Sequence, residues 1–145
     1  LPVDVLLLLD VSGSMRTHVE SIAAASREAM AVLGQEDRVA IMVFDRATRV
    51  RLPFRAGRQD VYREFERLLN QESFNGGTDI TRALLDAARF MERSARKEAR
   101  RAIVILTDDQ TEFDRDDFQV GRALERADTV LSAILAPNFM QPRTW

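Results

Sequence analysis

The sequence predicts a doubly wound α/β domain in which a mostly parallel sheet has helices on both faces and one antiparallel edge strand. Short uniform runs of apolar residues alternate with longer segments in which apolar residues recur at helical spacing. This is the pattern of strands buried on both faces and separated by helices. One further segment alternates apolar and polar residues and contains a proline, as is typical of a sheet edge. The 145 residues, 46% hydrophobic and 30% charged, suit one globular domain.

The predicted elements follow the order strand, helix, strand, strand, helix, helix, strand, helix and strand. The predicted buried strands are residues 3–9, 38–44, 102–106 and 129–136, and the predicted helices are 15–33, 61–69, 80–91 and 118–127. Residues 50–54 alternate and contain Pro53, so we expect an antiparallel strand at one edge, with the uniform run 3–9 in the middle. We expect a single domain over residues 1–145, with an irregular tail at 137–145.

Composition and charge exclude several classes of function. The formal net charge is −2, so no overall charge attracts the chain to nucleic acid or anionic lipid. The absence of cysteine excludes disulfides, thiolate metal sites and a cysteine nucleophile, and the single histidine, His18, excludes a histidine metal cluster. Apolar runs such as residues 5–9 are far too short to cross a bilayer. Because the sequence opens at Leu1 directly into a predicted strand, we expect a fragment of a longer protein, with any targeting signal outside it.

Small oxygen-bearing side chains follow two predicted strands and open one predicted helix. Asp10, Ser12 and Ser14 follow the first strand, Asp108 follows a later buried strand, and Thr78 follows a glycine-rich loop. Ligands of open parallel sheets bind at the carboxyl ends of the strands, so we expect Asp10 and Asp108 to face each other there. Two carboxylates in one crevice repel each other, and a cation relieves that repulsion. Oxygen donors without histidine or cysteine are typical of a hard cation such as Mg²⁺.

Three glycines accompany these side chains. Gly13 is expected to let the chain turn after the first strand without a clash at Cβ. Gly76 and Gly77 are expected to let the loop that carries Thr78 approach the ion closely. The glycine pattern therefore agrees with a site built from two loops.

Helix capping is a second interpretation of the same hydroxyl groups. Ser12 and Ser14 could cap the first helix, and we expect Thr78 to be the N-cap of the third. Asp79 is expected to complement the dipole of that third helix in its first turn. Capping does not explain the carboxylates at two strand ends, so metal binding is the preferred interpretation.

These motifs resemble those of the von Willebrand factor A family, whose domains carry a metal-ion-dependent adhesion site. Residues 10–14 read D-V-S-G-S and match the D-x-S-x-S element of the family. Residues 76–78, G-G-T, resemble its threonine loop, and residues 106–108, L-T-D, resemble its final aspartate element. D-x-S-x-S alone is a weak pattern, but here three elements occur in the family's order at similar separations. The resemblance covers nearly all of residues 3–136 and implies a Rossmann-like fold.

The resemblance implies that the domain holds one divalent cation, Mg²⁺ or alternatively Mn²⁺ or Ca²⁺. By position, Ser12 and Ser14 would bind the ion directly through their hydroxyl groups, and Thr78 would bind directly in a ligand-occupied state. Asp10 and Asp108 would reach the ion mainly through water, with Asp108 able to bind directly in some states. One coordination position would stay open for a Glu or Asp of a partner protein.

The function implied by the resemblance is a protein-binding module, in cell adhesion or another protein–protein interaction, and not an enzyme. We expect no nucleic-acid partner, no membrane insertion of this domain, a bacterial source, and an extracellular or periplasmic location in preference to a cytoplasmic one. The sequence departs from the family in two places. Asp109 stands where many relatives have glycine, and we expect it to face solvent. Relatives usually continue with a helix and a strand beyond the position of Ala136, so we expect the chain to be trimmed or to lack that edge.

Two alternative functions use the same fold. A metal-dependent phosphoryl-transfer hydrolase typically carries Asp-x-Asp at the strand end, where this chain has Ser12 as the second residue, and the sequence has no P-loop Gly-Lys-Ser/Thr. A structural scaffold without bound metal is the other alternative. Activity on a phosphate ester with Mg²⁺ distinguishes the enzyme, and a calorimetric titration with Mg²⁺ and Mn²⁺ distinguishes the scaffold.

Overall fold

The computed structural model describes residues 1–108 and 115–135 in full and the backbone of residues 142–144. Its strands are β1 (Val3–Asp10), β2 (Arg38–Phe44), β3 (Thr48–Arg55), β4 (Arg100–Thr107), β5 (Val130–Leu135) and β6 (Pro142–Thr144). Its α-helices are α1 (Val19–Ala31), α2 (Arg58–Gln71), α3 (Ile80–Ser94) and α4 (Asp117–Arg126), and a 3₁₀ helix (Gly13–His18) links β1 to α1. None of the helices in these residues has the length and apolar character needed to span a membrane.

The strands form one sheet in the order β3-β2-β1-β4-β5-β6. β1 lies in the middle, parallel to β2 on one side and to β4 on the other, and β5 is parallel to β4. At one edge β3 runs antiparallel to β2. The central position predicted for residues 3–9 and the antiparallel edge predicted for residues 50–54 are therefore confirmed.

The uniform apolar composition of β1 arises because its alternate residues enter two different cores. Leu6 and Leu8 belong to the buried cluster that includes residues of α3 and α4. Leu7 and Leu9 belong to the cluster that includes residues of α1 and α2. Adjacent side chains of a strand point to opposite faces of the sheet, so helices cover both faces, as the sequence predicts. Each fully buried leucine contributes roughly 1.5–3 kcal/mol relative to an exposed one.

The N-cap of α3 is Asp79 and not Thr78, so the capping prediction for Thr78 is wrong. The Asp79 side chain accepts a hydrogen bond of 3.0 Å from the backbone N–H of Arg82. A side-chain oxygen can cap a helix only if it reaches a free amide two or three residues ahead. Since α3 begins at Ile80, Asp79 is the residue in that position. This contact also gives Asp79 a more specific role than the dipole interaction that the sequence predicts.

Residues 142–144 form a strand, although the sequence predicts an irregular tail at 137–145. They pair in antiparallel fashion with residues 132–134 of β5. An edge strand presents unpaired backbone groups that another segment can pair with, so this pairing requires no apolar periodicity. Pro142 is the first residue of β6, where a missing backbone N–H is tolerated. The rest of the predicted tail lies outside the described residues.

Candidate functional site

Asp10 ends the central strand and accepts hydrogen bonds from two neighbouring segments. Its Oδ1 accepts from the backbone N–H of Ser12 at 2.9 Å and from the Ser12 hydroxyl at 2.5 Å. Its Oδ2 accepts from the Thr107 hydroxyl at 2.7 Å. Thr107 ends β4, which pairs directly with β1. The buried Asp10 carboxylate is therefore held between the carboxyl ends of two adjacent strands.

The hydroxyl groups of Ser12 and Ser14 lie side by side just beyond Asp10. Their oxygens are 3.2 Å apart, with Ser12 buried and Ser14 exposed. Ser12 occupies the N-cap position of the 3₁₀ helix, but its side chain makes no capping hydrogen bond. Its hydroxyl proton is instead donated to Asp10. A serine hydroxyl has one proton and two lone pairs. Because Ser12 donates to Asp10, the Ser14 hydroxyl donates to Ser12 and uses one lone pair, which leaves one lone pair of Ser12 for a cation.

The Thr78 loop (residues 72–79) connects α2 to α3 and docks on the segment after β1. The backbone N–H of Gly13 donates to the carbonyl of Gly76 at 2.8 Å, and Ser12 and Gly76 form an isolated parallel bridge. The backbone N–H of Asp79 donates to the carbonyl of Asp45 at 3.0 Å. Thr78, two residues after Gly76, is 3% exposed. These contacts hold the loop that carries Thr78 against the loop that carries Ser12.

The five predicted site residues thus stand in different relations to one another. Asp10, Ser12 and Ser14 form one hydrogen-bonded group. Asp108 follows Thr107 at the end of β4, is half-buried, and interacts electrostatically with Asp10. Thr78 lies two residues after Gly76, which contacts Ser12 and Gly13. Asp109 lies outside the described residues.

Burial raises the pKa of Asp10, and the neighbouring Asp108 carboxylate raises it further, while hydrogen bonds from Ser12 and Thr107 oppose the shift. A negative charge on Asp10 is therefore disfavoured by its surroundings, and a cation beside it would offset the penalty. Within the described part of the chain, no group of three or more Asp, Glu or His side chains is arranged so that it could hold a metal ion. The site instead combines two carboxylates with hydroxyl groups, an all-oxygen donor set that fits a hard divalent cation.

Three residues near the site have roles that the sequence analysis does not assign. Thr107 orients Asp10, although the sequence identifies it only as part of a motif. Asp45 directly follows β2, and its backbone and side chain lie against the Thr78 loop. Its position after a buried strand is the signal that marked Asp10, so the same reasoning could have found it. Arg16 donates to the carbonyl of Phe74, a contact across 58 residues that no local pattern indicates.

Of Gly13 and Gly76, only Gly76 lies close to the side chain of a neighbouring residue. A Cβ on Gly76 would lie 3.1 Å from Cβ and 3.2 Å from Oδ2 of Asp45. A Cβ on Gly13 would meet nothing closer than 3.6 Å, and neither glycine has a positive φ. Gly76 therefore packs closely, but its neighbour is Asp45. The expected close approach of this loop to an ion stays a prediction. The expectation that a Cβ would clash at Gly13 is wrong, because a Cβ there makes only ordinary van der Waals contacts.

We expect Gly76→Ala to weaken Mn²⁺ binding roughly three- to tenfold, because the added methyl group shifts the Thr78 loop by a few tenths of an ångström. Gly13→Ala is the matched control, since its methyl group meets only ordinary van der Waals contacts. Isothermal titration calorimetry of both variants measures the difference. Equal affinities for the two variants would show that the Gly76–Asp45 contact does not position the loop.

The chain is similar to one known protein family and to several solved structures. The family described as von Willebrand factor type A domain matches residues 5–110. No curated protein sequence matches the chain significantly.

Several solved structures share the fold. BatB from Bacteroides thetaiotaomicron has a TM-score of 0.77 at 22% identity, with 92% of this chain and 66% of that chain covered. The manganese-loaded TRAP protein of Plasmodium vivax has a TM-score of 0.77 at 19% identity, with 95% and 60% covered. Proximal thread matrix protein 1 from the mussel byssus, with a zinc-occupied MIDAS motif, has a TM-score of 0.76 at 13% identity, with 92% and 37% covered. The chain spans less than two thirds of the length of each of these three proteins.

Proposed function

Because the chain belongs to the von Willebrand factor type A family, we propose that it is a protein-binding module that uses one divalent cation to bind an acidic residue of a partner. The observation that supports this most is the arrangement around Asp10. The buried Asp10 carboxylate accepts a hydrogen bond from the Ser12 hydroxyl, and the hydroxyl oxygen of the exposed Ser14 lies 3.2 Å from that of Ser12. Both hydroxyl oxygens are thereby presented beside a negative charge that a cation would stabilise.

Each residue of the site has a distinct part in this proposal. Ser12 and Ser14 would hold the ion directly through their hydroxyl oxygens, and Thr78 would join them when a ligand is bound. Asp10 and Asp108 would hold it mainly through water. Thr107 fixes the second carboxylate oxygen of Asp10, so the Asp10 side chain cannot rotate away from Ser12 without losing that contact.

The partner is proposed to be acidic because of the charge of the site. Asp10 and Asp108 alone would repel a carboxylate. A bound divalent ion would supply the positive charge and the open coordination position that attract one. Manganese and zinc occur in related structures, which supports a divalent cation in general. For this chain we propose Mg²⁺, with Mn²⁺ or Ca²⁺ as substitutes in solution.

A titration with Mn²⁺ tests the proposal without a known partner. We expect one saturable Mn²⁺ site by calorimetry. With protein in excess over Mn²⁺, millimolar acetate should lower the water-proton relaxivity of the bound ion, because a carboxylate displaces coordinated water, whereas acetamide should leave the relaxivity unchanged.

Three results would contradict this proposal in different ways. Absence of saturable Mn²⁺ binding would favour the metal-free scaffold. An ion that binds but does not respond to acetate would argue against recognition of acidic residues. Hydrolysis of p-nitrophenyl phosphate that depends on Mg²⁺ and on Asp10 would favour the phosphoryl-transfer hydrolase.

A further inference from the structure

Arg16 connects the segment after β1 to the Thr78 loop. It lies in the 3₁₀ helix, two residues after Ser14, and its guanidinium group donates twice to the carbonyl oxygen of Phe74. The Nε–O distance is 3.2 Å and the Nη2–O distance is 2.9 Å. One side chain on the serine segment therefore holds the backbone of the other loop.

The backbone at Phe74 needs such support. Its φ of 50° lies in the left-handed region, which a bulky side chain rarely adopts. Phe74 is 4% exposed and belongs to the same buried cluster as Met15, the residue before Arg16. Arg16 thus bonds the carbonyl group of Phe74, while the preceding residue of the 3₁₀ helix, Met15, lies in the same buried cluster as Phe74.

The contact lies near the proposed ion ligands on both segments. Gly13 and Gly76 form the other backbone contact between these segments, at 2.8 Å. Phe74 lies two residues before Gly76, and Thr78 lies two residues after Gly76. The Arg16–Phe74 and Gly13–Gly76 contacts therefore fix the part of the loop that leads directly to Thr78.

From this geometry we propose that Arg16 is a positioning residue that sets the affinity of the site for divalent ions by holding the Thr78 loop in register with Ser12 and Ser14. This inference rests on the proposed function of the site. Arg16 acts through Phe74 and not through contact with the ion.

Electrostatics and positioning predict opposite effects for the loss of Arg16, which makes the proposal testable. Arg16 carries a positive charge near a cation site, so removal of that charge alone should tighten cation binding. Removal of a residue that orients the ligands should weaken it, typically ten- to a hundredfold. We expect Arg16→Ala to bind Mn²⁺ about tenfold more weakly than the wild type, because Arg16 is itself exposed and Gly13 still holds Gly76.

Arg82→Ala is the matched control. Arg82 lies in the first turn of α3, two residues after Ile80, and its side chain pairs with Asp86 at the surface. Its contact with the cap residue Asp79 uses the backbone N–H and survives the substitution. This variant should bind Mn²⁺ as tightly as the wild type or slightly more tightly. Arg16→Lys retains the charge with a single donor group and should fall between Arg16→Ala and the wild type; it carries the test if Arg16→Ala does not fold.

Hydrogen exchange in EDTA provides a readout that does not depend on the ion. The Gly13 amide is protected by its bond to Gly76, so NMR should show it exchanging about tenfold faster in Arg16→Ala and unchanged in Arg82→Ala, at equal thermal stability. In Arg16→Ala, unchanged Gly13 exchange would overturn the proposal. An Mn²⁺ affinity of Arg16→Ala equal to or tighter than that of the wild type would also overturn it. Failure of the wild type itself to bind Mn²⁺ would instead overturn the proposed function, and with it the link from Arg16 to the ion.

Discussion

Asp10→Ala is expected to lower the affinity for Mg²⁺ and Mn²⁺ by at least about a hundredfold while the domain stays folded. Asp10 contributes the buried negative charge and also accepts hydrogen bonds from the hydroxyl groups of Ser12 and Thr107. Its removal therefore takes away a negative charge and also the group that orients the Ser12 hydroxyl. Loss of an orienting residue alone typically lowers metal affinity ten- to a hundredfold. Isothermal titration calorimetry measures the affinity for the ion. Partner binding should be lost in Asp10→Ala, and it should also be lost by the wild type in EDTA.

Thermal melts separate loss of the ion from loss of the fold. At an ion concentration 100 times the dissociation constant, binding should stabilise the wild type by about 2.7 kcal/mol, and Asp10→Ala should show no such increase. In EDTA the variant should melt close to the wild type, because burial disfavours the Asp10 charge in the metal-free fold. Thr107→Val is the control that keeps the charge and removes one orienting bond, and its affinity should be intermediate. Wild-type ion binding by Asp10→Ala would place the ion elsewhere.

The features predicted correctly from the sequence depend on local periodicity. The leucines of β1 identify a central strand because residues that enter two cores must all be apolar. Pro53 identifies β3 as an edge because proline cannot contribute a ladder hydrogen bond. Asp10 and Ser12 identify the polar end of a strand because small oxygen-bearing side chains abruptly replace an apolar run there.

The features that were missed depend on contacts between distant residues or on a choice between similar neighbours. Thr78 and Asp79 are both good N-cap residues, and only the helix start at Ile80 decides between them. The Arg16–Phe74 contact joins residues 58 positions apart. β6 forms because β5 has a free edge, and its own three residues have no strand pattern of their own.

Asp4 is a further case, because a charged residue is fully buried within a strand predicted from its apolar neighbours. It lies at the opposite end of β1 from the candidate site. Arg38 donates to both of its carboxylate oxygens, at 3.0 and 2.8 Å. Arg96 donates through its backbone N–H at 2.7 Å and through its guanidinium group at 2.7 and 3.1 Å. Asp4 thus joins β1, β2 and the connection between α3 and β4 through two partly exposed arginines.

Asp4→Asn is expected to lower the free energy of unfolding at pH 7 by about 2–4 kcal/mol, in a manner that depends on pH. Burial by itself would raise the pKa of Asp4, but hydrogen bonds from Arg38 and Arg96 outweigh it and lower the pKa to about 2. A carboxylate whose pKa is lower in the folded state stabilises the fold above its unfolded pKa, and this stability is lost as the pH falls through the folded pKa. A shift of this size corresponds to roughly 2 kcal/mol, and removal of one partner from a buried ion pair adds to that loss.

The wild type and Asp4→Asn should therefore differ most in urea unfolding above about pH 5, and the part of the difference due to ionisation should fall to roughly half by pH 3. The difference isolates Asp4, because the other carboxylates titrate in both proteins. Asp60→Asn is the matched control, since Asp60 is exposed and lies 3.8 Å from Arg63, and exposed pairs of this kind contribute little. The difference in the free energy of unfolding between wild type and Asp4→Asn could instead stay constant from pH 7 to pH 3. That result would mean that Asp4 stabilises the fold by packing alone and that the charge of its carboxylate does not matter to the two arginines.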